Sequence, residues 1–128
     1  MKVPKANAIF IPGNVPSSKN SRVWTGRFFV KSKACRKWEK HTKSHFESNR
    51  TKFLRLIENV ESPLKIRFWF IRDSKRLYDY LNPAQTVQDA MVAHRWLTDD
   101  NISVMRPYFA VSQINRDNPG VWIEVMEN

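Results

Sequence analysis

The sequence predicts a single small α+β domain in which a mixed β-sheet carries two main helices. Three observations lead there: a length of 128 residues, an alternation of short apolar runs with helical spacings, and a helix-start signal in the middle of the chain. A chain of this length holds one domain with a real core and is short for two. Residues 1–128 are therefore read as one unit. Hydrophobic residues make up 41%, and eight Phe, five Trp and three Tyr supply the bulk to fill a core.

The first element is Ala8-Ile9-Phe10-Ile11-Pro12, a short apolar run closed by Pro12-Gly13, which reads as a buried strand ending in a turn. Asn14 to Arg27 follows as a loop of small, polar and basic groups without periodicity, and Phe28-Phe29-Val30 reads as a second short strand. Such a loop suits phosphate holding; a plain solvated connector is the alternative. Ser32 can cap a helix from about Lys33 to Glu47, with Cys35, Trp38, Thr42 and Phe46 on its inner side. Lys33, Arg36, Lys37, Lys40 and Lys43 form a basic stripe on the other side. His41 and His45 stand four apart, a metal-compatible spacing, but no third ligand lies nearby and the plainer reading is surface histidines.

Leu64 to Ile71 alternates and then becomes continuously apolar, the pattern of a central strand. The next helix is announced by Asn82 as N-cap, Pro83 at the first position and Gln85 at the third, and should run to about His94. Asn101–Ser112 and Val121–Met126 supply further strands, separated by the turn-forming run Asn115 to Gly120. Trp69 and Trp96 read as core, and Trp24 as either a base-stacking group or a cover for the domain.

Lys and Arg total 22 against 12 Asp and Glu, a formal charge of +10. That field attracts polyanions, and nucleic acid is the leading partner; a basic protein of ordinary or ribosomal kind is the alternative. No basic amphipathic helix stands apart to suit a membrane surface. Cys35 is the single cysteine, which points to a reducing compartment, the cytoplasm. Met1 to Lys5 is not followed by a long apolar run, so neither a signal peptide nor a membrane span is expected. The three glycines are isolated, which leaves no Gly-rich phosphate loop.

Four of the six aspartates, Asp79, Asp89, Asp99 and Asp100, surround the second helix. Gln85 and Asp89, one turn apart, share one side of it. Carboxylates gathered in a basic protein suit Mg²⁺ or Mn²⁺, and metal-dependent phosphodiester hydrolysis is the chemistry such a set performs. Helix capping by Asp79 and turn formation by Thr98-Asp99-Asp100-Asn101 are the competing reading. A helix does not bring its own ends together, so a neighbouring strand pair or a second subunit is needed to unite Asp79 with Asp100. His94 reads as a cap or packing residue, with proton transfer near Asp99 or Asp100 as the other option.

The segments Ile9 to Asn20, Arg76-Leu77-Tyr78-Asp79-Tyr80-Leu81-Asn82, Asp89-Ala90-Met91 and Trp96 to Ile102 resemble the RusA family of Holliday junction resolvases, small phage-derived endodeoxyribonucleases. The likeness covers nearly the whole chain. It implies a RusA-like fold and a homodimer that nicks four-way junctions or other branched DNA in recombination and repair, using Mg²⁺. It also implies Asp79 and Asp100 as catalytic metal ligands, with Asp99 as a third ligand or an orienting group. Asn82, Gln85 and Asp89 are possible supporting residues, and Lys19, Asn20, Arg22, Arg72, Lys75 and Arg76 are the expected phosphate contacts. Two positions depart from the family: Leu81 stands where an aspartate is usual, and Gln85 where a lysine is. A branched-DNA binder that no longer cuts is the alternative function.

Overall fold

The computed structural model describes residues 3–4, 6–16, 22–27 and 29–127. Its elements are β1 (Ala8–Pro12), β2 (Arg22–Trp24), β3 (Phe29–Lys31), α1 (Lys33–Ile57), β4 (Leu64–Arg72), α2 (Leu81–Ala93), β5 (Met105–Phe109), β6 (Gln113–Ile114) and β7 (Gly120–Val125). The expected α+β class, with a mixed sheet and two helices, is what forms.

The sheet runs in the order β1-β7-β4-β5, with β6 continuing along β4 beyond β5. β7 is antiparallel to both β1 and β4, whereas β5 and β6 are parallel to β4. A parallel return needs a crossover, and α2 supplies it between β4 and β5. Alternate residues explain the layering: Ile66, Phe68 and Phe70 of β4, Val121 and Ile123 of β7, and Ile9 and Ile11 of β1 are buried together with Phe46, Phe53, Val87 and Met91 of the helices.

α1 starts as expected, with Ser32 Oγ accepting from the Cys35 amide at 3.1 Å. It buries Cys35, Trp38, Thr42 and Phe46, then continues ten residues past the expected end at Glu47, because Phe53 extends the same apolar side into the core. The expected loop over Asn14–Arg27 is also corrected, since Arg22–Trp24 pairs with Phe29–Lys31 as a small separate hairpin. The strand expected over Asn101–Ser112 is confined to Met105–Phe109. Trp96 is core as expected, its Nε1 donating to the Phe46 carbonyl at 2.9 Å. Trp69 lies half-buried on the opposite side of the sheet and donates to Glu124 Oε1 at 2.8 Å.

α2 differs at its start. Leu81 is the first helical residue and Tyr80 occupies the cap without a side-chain bond, so Asn82 is not the N-cap. Asp79 fills the gap by accepting from the Leu81 amide at 2.9 Å. At the other end, Arg95 takes the left-handed conformation at φ 61°. Its amide donates to Val92 O at 3.0 Å and the Trp96 amide to Met91 O at 2.8 Å, the paired bonds of a Schellman turn. The chain is thereby turned back along α2. No helix among the described residues is long and apolar enough to cross a membrane.

Candidate metal and DNA site

That reversal brings the last aspartate of the 79–100 cluster to the first turns of α2. Gln85 Nε2 donates to Asp89 Oδ1 at 2.8 Å and to Asp100 Oδ2 at 3.1 Å. One carboxamide thus holds two carboxylates, one from its own helix and one from the returning segment. Asp89 and Asp100 are half-buried and Gln85 is exposed, so the bridge lies at the surface, open to solvent and ligand.

The other two aspartates make local bonds. Asp79 is exposed and uses Oδ1 on the start of the helix. Asp99 accepts from the Asp100 amide at 2.8 Å and from Asn101 Nδ2 at 2.9 Å. The backbone bond from Asp100, helped by Asn101, holds its carboxyl below the usual carboxylate range. Asp99 therefore sets the turn that presents Asp100. The bonds of Asp79 and Asp99 are thus local, and among the described residues no three acidic, histidine or cysteine side chains gather as a metal-binding group. Asp89 and Asp100 converge instead. Asn82, half-buried, offers its backbone carbonyl to Thr86 Oγ1 at 3.2 Å.

The donor chemistry of Asp89 and Asp100 fits a hard divalent cation, which prefers carboxylate and amide oxygens and keeps several waters. Gln85 fits the same role in one of its two orientations. A carboxamide can turn over and offer Oε1 in place of Nε2, which a lysine at this position could not do.

The expected phosphate contacts divide three ways. Lys75 and Arg76 are exposed on the segment between β4 and α2. Lys19 and Asn20 lie outside the described residues; Arg22 lies on β2. Arg72, by contrast, points inward. It is 6% exposed, donates to the Val15 carbonyl, and stands 4.6 Å from the centre of the Tyr78 ring. Burial lowers its pKa, while Tyr78 and Asp73 act in the other direction. Its role is to tie the root of the basic loop to the end of β4, an assignment the sequence reading missed.

His94 serves packing, its ring stacked on Phe46 at 5.3 Å. Burial, with Glu39 alongside, pushes the Cys35 thiol up to about 11, which makes it an inert core group. No protein-family model matches the chain, and no curated protein matches it.

Proposed function

We propose that the protein is a Mg²⁺-dependent, structure-selective endodeoxyribonuclease that acts as a homodimer on four-way junctions or other branched DNA in recombination and repair. The observation that carries this reading is the convergence of Asp89 and Asp100 on one carboxamide within a chain of charge +10. Asp100 and Asp89 would hold the ion, with Gln85 Oε1 as a further oxygen ligand. Bound there, Mg²⁺ or Mn²⁺ would supply an acidified water and offset charge on the scissile phosphate. Asp99 fixes the backbone that presents Asp100, and Asp79 holds the start of the helix that carries Gln85 and Asp89. Lys75 and Arg76 attract and position the flanking phosphates. Similarity to the resolvase motifs supports the choice of branched DNA over plain duplex.

A second reading has an observation of its own. Leu81, where the resembled family has an aspartate, is 69% exposed and cannot bind a metal. This substitution favours a non-cleaving junction binder. Incubating a synthetic four-way junction with the protein and Mg²⁺, then Mn²⁺, decides between them. Paired nicks by the wild type, lost in Asp100→Asn while binding persists, are the expected result. Folded protein that binds the junction and cuts with neither metal would establish the second reading.

A further inference from the structure

A concave site that shares no residue with the acidic bridge lies where the turn after β1 meets the first half of α1. A pocket of ≈ 310 Å³ is lined there by Gly13, Asn14, Pro16, Lys37, Trp38 and His41, among others, with no acidic group among the described residues of its wall. Its side-chain chemistry is dominated by donors. Lys37 brings an ammonium, and His41 brings an imidazole that donates from at least one nitrogen. Asn14 uses Oδ1 to accept from the Asp73 amide at 3.1 Å, which leaves its NH₂ end as the group to offer.

The fourth donor is the most telling. Trp38 is 4% exposed, and its buried Nε1 has no hydrogen-bond partner among the described residues. Buried indole N–H groups ordinarily find an acceptor, as Trp96 and Trp69 do here with Phe46 O and Glu124. Trp38 lines the pocket, and the indole carbon next to this N–H lies against Gly13: a Cβ placed on Gly13 would lie 3.8 Å from Trp38 Cδ1 and only 2.9 Å from His41 Cδ2. Gly13, at φ 112°, is thus the residue that lets His41 and Trp38 share one wall. Exposed Lys33, Arg36 and Lys40 on the same helix make the surrounding field positive.

We infer that this pocket is an anion site that takes a phosphate oxyanion, held by Lys37, His41 and Asn14, with Trp38 Nε1–H as the innermost donor. A DNA phosphodiester and a free phosphate or small phosphate ester share this chemistry. The inference does not depend on cleavage, because none of these residues belongs to the acidic bridge.

The test reads the Trp38 indole N–H by NMR, assigned through its backbone, while inorganic phosphate or a short DNA duplex is titrated in at constant ionic strength. A saturable shift of this one indole, weakened at least tenfold in the Lys37→Ala/His41→Ala variant, is expected. Both substituted residues are exposed, so the variant should fold. A response to both probes identifies the DNA backbone as a source, and a response to phosphate alone identifies free phosphate or an ester. No saturable shift with either probe, an equal shift in the variant, or the same shift with added chloride would overturn the site. Junction cleavage by the wild type, measured alongside, reports on the nuclease reading separately.

Discussion

At the scale of single residues, Arg72 and Gln85 carry the most weight, for opposite reasons. Arg72 is a buried cation whose guanidinium satisfies the Val15 carbonyl and packs over Tyr78. Its replacement by Met leaves a buried acceptor unmatched, so Arg72→Met should lower stability by about 2 kcal/mol, read as a fall in the urea midpoint. An unchanged midpoint would show that the tie between loop and strand contributes nothing. Gln85 is exposed and holds little of the fold, yet it spaces Asp89 and Asp100. Gln85→Leu keeps the approximate size and removes both the bridge and the oxygen. Loss of such a supporting group typically weakens metal affinity by about 10- to 100-fold. The Mg²⁺ concentration for half-maximal junction cleavage should therefore rise by about tenfold or more while the melting temperature barely moves, and an unaltered Mg²⁺ requirement would remove Gln85 from the site.

At the scale of elements, the reversal after α2 decides which acids meet, and it rests on a residue poorly suited to its conformation. A left-handed backbone costs an L-residue about 1–2 kcal/mol, from which glycine's extra chain entropy must be deducted. Arg95→Gly should therefore stabilise the protein by about 0.5–1 kcal/mol, measured by chemical denaturation; a loss of stability would mean that the Arg95 side chain matters more than its backbone. The pairing of β4 with β7 gives a pH-dependent counterpart. Burial pushes the Glu124 carboxyl up, but bonds from Arg67 at 2.7 Å and Trp69 at 2.8 Å, with the Arg67 charge, hold it below its ordinary value of 4.5. A carboxyl lowered by folding contributes stability that is complete above pH 4.5 and is lost as pH falls through the folded-state value. Glu124→Gln should flatten the loss of stability below pH 4.5, and an acid limb as steep as that of the wild type would refute it. These two elements also mark what could be read in advance. β1, β4, β7 and the buried side of α1 follow from local apolar period, and the cluster of acids from plain proximity along the chain. The meeting of Asp100 with Gln85 does not, because no glycine at position 95 signals the turn. The inward role of Arg72 has no local signal, because its acceptor, Val15 O, lies 57 residues away. The last ten residues of α1 are not legible in the sequence because Ser48, Asn49 and Arg50 interrupt the pattern that Phe53 resumes.

At the scale of the whole molecule, the distribution of charge separates the two jobs that the proposed activity requires. Asp79, Asp89, Asp99 and Asp100 are confined to the surroundings of α2, while Lys and Arg are spread over the loops and α1. A carboxylate group set in a basic field repels the backbone locally while the molecule as a whole attracts it, and a bound cation relieves that local repulsion. Lys75 and Arg76 lie where the two regimes meet, exposed on the chain that leaves β4 and enters α2. If both neutralise phosphates, each releases close to one counterion, about 0.9 in the slope of log affinity against log salt. Lys75→Ala/Arg76→Ala should therefore reduce the magnitude of that slope for junction binding by about 1.8. The same variant should retain its melting temperature, since neither side chain takes part in a salt bridge among the described residues. A slope equal to that of the wild type would move the phosphate path off this segment and toward α1, where Lys37 and its neighbours would have to carry it.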